Sequence, residues 1–243
     1  MDLKSIGRTL FSRVSLADSL ALPTLQLDCC GGLSNLDYRK VDFSVMMGAI
    51  KYVDLTDSNF AVAVLCIIFN PLFWNAVARW EHKTRSLTRL LGSPYTGCYC
   101  LGVILVLLAI LRSHCFAEAM KSQPRFAGLD FPGAYYTGLI LLASGVLFVV
   151  SSFSALGFVG TYLGDYFGIL MKEKVTGFPF NIMENPMYWG STVNYLGWSL
   201  MNASPAGLVL AAVVAVAYKI AIVFEGPFTE EIYREKQNCG KNK

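Results

Sequence analysis

The 243-residue chain is 54% hydrophobic and only 15% charged, with a net charge of +3 and a mean hydropathy of +0.48. A soluble domain of this length carries about 25% charged residues, and here the deficit is concentrated in long uncharged runs, which places the chain in the membrane class. The small net charge without a basic track excludes nucleic acid as a partner, and the seven cysteines, odd in number and unmatched in spacing to His82 and His114, fit neither a disulfide scaffold nor a metal site.

Residues 1–46 read as an extension. Lys4, Arg8 and Arg13 among Leu, Ile, Phe and Ser suggest a short amphipathic helix, flexible or weakly membrane-associated, with no signal-peptide core. The remainder, 47–243, reads as a single membrane domain with apolar runs at 60–78, 95–111, 139–160 and 206–224. The first run is 19 residues, about 28 Å as a helix, and Asn70-Pro71 in its middle is expected to break the backbone ladder. It is therefore a kinked span, or a re-entrant or interfacial element. The run ending at Arg112 is long enough to span. The third lies inside a longer stretch, 133–160, rich in Gly, Ala and Ser, which permit close helix contact. A polar connection over 161–191 follows, and 192–205 is apolar enough to lie in or on the membrane. The last run is a span, with Lys219 near one end where its stem can snorkel. The expected fold is an all-α integral membrane protein with three transmembrane helices plus a first apolar helix that is re-entrant, interfacial or a fourth span. Lys and Arg divide between the two sides without an excess that sets orientation.

No nucleotide-binding, zinc-protease or nucleophile-elbow motif is present. Two polar features lie against membrane runs: the segment containing Asn181, Glu184, Asn185, Pro186, Tyr188 and Gly190, and Glu225 with Gly226-Pro227. A carboxylate at a membrane boundary must be wet or paired, and is a candidate site. The plainer readings are a stop-transfer flank for Glu225 and a helix start for Asn185-Pro186. A transporter would carry ionisable residues near mid-span, and the runs carry almost none. A non-catalytic membrane scaffold is the other alternative.

The phrases FNPLFWNAVARWEHKTR (69–85), LRSHCF (111–116), ALGFVGTYLGDYFGI (155–169), FPFNIMENPMYWGSTVNYLGW (178–198) and FEGPFTEEIYR (224–234) resemble the phospholipid methyltransferase family, in its vertebrate liver-type phosphatidylethanolamine N-methyltransferase branch. The resemblance covers about 47–243. It implies three successive methylations of phosphatidylethanolamine, through mono- and dimethyl lipids, to phosphatidylcholine. S-adenosyl-L-methionine is the implied methyl donor, and the implied setting is the endoplasmic reticulum and mitochondria-associated membranes with a cytoplasmic C-terminal tail. The family's donor-binding triplet falls on Ala143, Ser144 and Gly145, where the first glycine has become alanine. Its acidic pair falls on Glu225 and Gly226, where the second carboxylate is missing. Glu225, Asn185 and Tyr188 are the candidate catalytic residues: Glu225 takes the amine proton or holds the donor, and Asn185 and Tyr188 hydrogen-bond donor or headgroup. Arg112 is placed to face the lipid phosphate. No metal is needed, because a sulfonium is already a good leaving group.

Overall fold

The computed structural model describes residues 51–171 and 175–241, so the 1–46 extension lies outside the described residues. The described residues form six α-helices: α1 (Ser58–Thr84), α2 (Ser86–Leu91), α3 (Pro94–Lys121), α4 (Pro132–Thr161), α5 (Pro186–Met201) and α6 (Pro205–Lys241). Four of them open on a proline, which needs no backbone partner at the first helical position and arrives with φ preset. Asp57 caps α1 by accepting from Phe60 N at 2.7 Å, and Ser204 Oγ accepts from Gly207 N at 3.1 Å at the start of α6.

Four helices, α1, α3, α4 and α6, are long and apolar enough to cross a membrane. The first apolar run thus belongs to a continuous 27-residue helix, about 40 Å long, and α1 continues through Pro71. Asn70, of the Asn70-Pro71 pair expected to break the helix, donates through Nδ2 to Leu108 O at 3.3 Å, and Asn75 Nδ2 donates to the Pro71 carbonyl at 3.0 Å. The long third run does not continue as one straight helix, since Gly157 (φ 66°) breaks the helical backbone near the end of α4. That left-handed geometry suits glycine.

Helix α1 runs antiparallel to α3, as the Cys66–Cys115 and Asn70–Leu108 contacts require. The core between α1, α3, α5 and α6 is built on Ile67, Phe116, Tyr195, Leu210 and Val214. At one end Gln123 and Asp54 exchange two 3.0 Å hydrogen bonds. At the other, the fully buried Glu81 carboxylate accepts from Leu87 N (2.6 Å), Thr88 N (3.1 Å) and Thr88 Oγ1 (2.5 Å), capping α2.

The tightest packing joins α4 to α5 through two glycine pairs seven residues apart on each helix. A Cβ on Gly138 would stand 2.7 Å from Gly197 O, and one on Gly145 would stand 2.5 Å from Gly190 O. Small residues let the two backbones approach, while the other flank of α4 exposes Leu139, Ile140, Leu147 and Val150 toward lipid. Gly190→Leu is expected to separate α4 from α5 and to cost about 1–3 kcal/mol, seen as a lower unfolding temperature in detergent. Gly226→Ala, whose new Cβ would meet nothing within 4 Å, is the matched control and is expected to be neutral or slightly stabilising.

Candidate functional site

A cavity of about 250 Å³ lies where α1, α3, α4, α5 and α6 converge, and its polar and aromatic lining includes Trp74, Arg112, Tyr188, Tyr218 and Glu225. Tyr218 and Glu225 are seven residues apart, two turns along one face of α6, so the cavity extends about 10 Å along that helix.

At the Glu225 end, the Tyr188 hydroxyl donates to Glu225 Oε2. The Tyr188 ring stacks on Trp74 at 6.2 Å and meets Tyr218 edge-on at 5.0 Å, while Trp74 and Tyr218 stand 6.3 Å apart. A carboxylate beside three aromatic rings favours a cation, by direct charge and by the negative ring faces. Thr161 Oγ1, which also faces the cavity, is buried with no hydrogen-bond partner among the described residues. A polar atom left so in an apolar wall suits a polar ligand.

At the other end lies Arg112, only 7% exposed. Its Nε donates to Tyr195 Oη at 3.2 Å and its Nη1 to Tyr218 Oη at 2.6 Å, and its guanidinium stands 5.4 Å from each ring centre. Ser113 Oγ lies 2.9 Å from Tyr195 Oη and secures that phenol.

The structure brings Glu225, Tyr188 and Arg112 to one cavity. Glu225 lies within α6, which continues through Gly226 and Pro227 to Lys241, so the carboxylate is inside a helix and not at the end of one. Asn185 stands at the N-cap position of α5, with its carbonyl accepting from Trp189 N at 3.2 Å and its side chain making no capping bond. Of the triplet, Ala143 is exposed, the Ser144 hydroxyl donates to Leu141 O at 2.8 Å, and Gly145 is packed against α5. None of the three lines the Glu225 cavity. Gly226 is exposed. A second carboxylate does reach this part of α6 from elsewhere: Asp165 Oδ2 accepts from Thr229 Oγ1 at 3.2 Å, one turn beyond Glu225.

Trp74, Tyr218 and Tyr195 are the residues that sequence reading missed. The one usable signal was Tyr218, an isolated phenol in an Ala/Val run and seven residues before Glu225. Trp74 and Tyr195 sit in aromatic-rich helices where spacing does not separate a site residue from an interface residue.

The family model described as Phospholipid methyltransferase matches residues 134–236. Phosphatidylethanolamine N-methyltransferase of Rattus norvegicus is 61% identical over 191 residues, covering 79% of this chain and 96% of the relative. The Homo sapiens protein of the same name matches at 61% over the same shares. Phosphatidyl-N-methylethanolamine N-methyltransferase of Saccharomyces cerevisiae is 46% identical over 82% of this chain and 96% of the relative. No solved structure matches significantly.

Tyr188→Phe and Glu225→Leu each remove one side of the same hydrogen bond. Their effects on denaturant unfolding are expected to be non-additive, with a coupling of about 1–3 kcal/mol. Strictly additive effects in this double-mutant cycle would mean that the phenol and the carboxylate are not partners.

Proposed function

The chain belongs to the phospholipid methyltransferase family, and from that premise we propose that it methylates the amine of phosphatidylethanolamine, with S-adenosyl-L-methionine as donor. Three successive transfers pass through the mono- and dimethyl lipids to phosphatidylcholine. Relatives named for phosphatidylethanolamine and for phosphatidyl-N-methylethanolamine support a substrate range that covers more than one methylation state. The observation that carries the reading is the Glu225 carboxylate, held by Tyr188 and walled by Trp74 and Tyr218 in one cavity.

The chemistry follows from these side chains. S-adenosylmethionine, when bound, supplies an electrophilic methyl group on a sulfonium. The lipid amine is an ammonium at neutral pH and must lose a proton before it can attack, and Glu225 is the acceptor within reach of the cavity. Tyr188, donating to Oε2, fixes the orientation of the carboxylate and leaves Oε1 for that proton. The aromatic faces of Trp74, Tyr188 and Tyr218 stabilise a cation whether or not it has N–H groups. The same walls therefore serve a primary, secondary or tertiary amine and tolerate the quaternary product. Leu105, Ala109 and Val149 exclude water from the opposite wall.

The remaining candidates act at one remove. Asn185 starts the helix turn that carries Tyr188. Gly145, by letting α5 close on α4 at Gly190, sets where that turn sits. Ala143 and Ser144 lie on the same helix as Gly145, and Gly226 leaves the space beside Glu225 open. The setting is the endoplasmic reticulum membrane and mitochondria-associated membranes, with the end of α6 on the cytoplasmic side where the donor is made.

Membranes containing the protein, supplied with methyl-labelled S-adenosylmethionine and phosphatidylethanolamine, are expected to yield labelled mono-, di- and trimethyl lipids on chromatographic separation. Glu225→Gln is expected to lower kcat by roughly 100-fold or more, the lower range for general-base catalysis, with the folded protein retained. Absence of labelled lipid from the folded wild-type protein would overturn the reading. Label confined to the monomethyl lipid would overturn the three-step form of it.

A further inference from the structure

Arg112 presents a problem that the methyl-transfer chemistry leaves unsolved. An arginine side chain at 7% exposure within the membrane-spanning helix α3 is costly unless it is paired. Among the described residues the ion pairs are Lys121–Glu118 and Arg234–Glu231, so no carboxylate is in ion-pair contact with Arg112. Its protein partners are two phenols, which take Nε and one N–H of Nη1. A guanidinium has five N–H groups in a planar fork, so three remain after those two bonds. The side chain faces the same cavity as Glu225.

The cavity thus carries a fixed cation at one end and a carboxylate at the other, joined by a wall of aromatic contacts. Arg112 donates to Tyr218, the Tyr218 ring meets Tyr188 at 5.0 Å, and Tyr188 donates to Glu225. Charges of opposite sign at the two ends match a zwitterion laid along the cavity, with its cation at Glu225 and its oxyanion at Arg112. On α3, one and two turns before Arg112, the cavity lining is apolar, Ala109 and Leu105, and Val149 of α4 adds to it, while Asn70, Thr161 and Ser191 supply its neutral polar groups. These two helices meet at Gly102–Phe158 and at Cys98–Tyr162, where Cys98 Sγ lies 3.3 Å from Tyr162 O. An apolar wall beside the cation suits an anion that is attached to hydrocarbon.

We propose that Arg112, held in place by Tyr195 and Tyr218, is the binding residue for the phosphodiester of the lipid substrate. This rests on the phospholipid methylation reading above and identifies how the headgroup is registered: the fork takes two phosphate oxygens and the ethanolamine nitrogen then extends toward Glu225. Anchoring the anion keeps the reacting nitrogen in one place while its substituents change from hydrogen to methyl over the three rounds.

The test is equilibrium binding in detergent micelles, which needs no turnover. Two fluorescent lipids are compared, phosphatidylethanolamine and a phosphate-free analogue in which a neutral carbamate joins diacylglycerol to one nitrogen of ethylenediamine and leaves the terminal amine free, together with labelled S-adenosylhomocysteine. The wild-type protein is expected to bind the phosphate-containing lipid about tenfold more tightly or better, as a charge-assisted contact implies. Arg112→Gln is expected to abolish that preference and Arg112→Lys to retain part of it, both with S-adenosylhomocysteine affinity within about twofold of wild type, since the donor makes no contact with Arg112 on this proposal.

No preference in the wild type, or a preference unchanged in Arg112→Gln, overturns the proposal. So does loss of S-adenosylhomocysteine affinity with the lipid preference intact, which would assign the cation to the donor's carboxylate. If Arg112→Gln does not fold, the wild-type comparison and Arg112→Lys still decide. Lipid discrimination that follows Arg112 in a protein that transfers no methyl group would sink the methylation reading and leave the phosphate anchor standing.

Discussion

Hydrocarbon offers no hydrogen bonds, so each polar side chain on a spanning helix must find its partner inside the protein. That constraint organises the molecule. Asn70 on α1 finds a carbonyl of α3. Glu81, wholly buried, spends its carboxylate on the first backbone amides of α2 and on Thr88. Arg112 gathers one phenol from α5 and another from α6, and Glu225 takes its hydroxyl from α5. Each of these links crosses from one element to another, so the polar residues that are costliest to bury also hold the helices in register. The cavity exists because two of them, of opposite charge, are held apart with a largely aromatic and apolar lining between.

Helix α5 is the element on which the arrangement depends most. It is the shortest of the helices around the cavity, 16 residues, about 24 Å at the helical rise, and its position is set by two glycine-to-glycine approaches on α4. From that position its first turn delivers Tyr188 to Glu225, and its middle delivers Tyr195 to Arg112. The close approach places polar ligands for two different helices on a third. This explains why a small-residue stripe on α4 bears on chemistry that occurs on the far side of α5.

Much of this was legible from residue patterns. Long uncharged runs gave the spanning helices, Asn185-Pro186 marked the start of α5, and a carboxylate against an apolar run flagged Glu225. What failed were inferences from single residues taken alone. Pro71 was read as a break in the backbone ladder and Glu225 as a boundary residue at the end of the last run, yet α1 continues through Pro71 and α6 through Glu225 and Pro227; packing against neighbouring helices outweighs one missing backbone bond, as membrane helices commonly allow. The stretch to Gly160 was read as one run, and Gly157 turns it through a left-handed residue. The cavity's aromatic walls were not legible at all. Trp74 and Tyr218 are separated by 144 residues in sequence, and only the parallel course of α1 and α6 brings them to 6.3 Å. The missing second carboxylate at Gly226 was visible in the sequence. That Asp165 reaches the neighbouring turn of α6 from a different segment was not.

The two phenols that hold Arg112 come from α5 and α6, the last helices in chain order. The helix bearing the cation therefore precedes its partners in biosynthesis. A nascent chain that has inserted α1 through α4 carries a guanidinium with neither phenol, and one that has added α5 has Tyr195 without Tyr218. The drive to dock α6 thus includes the relief of a cation left short of hydrogen-bond acceptors, so assembly is pulled toward completion at its final step. The same docking delivers Glu225, and so the chain acquires its carboxylate and settles its stranded charge in a single event.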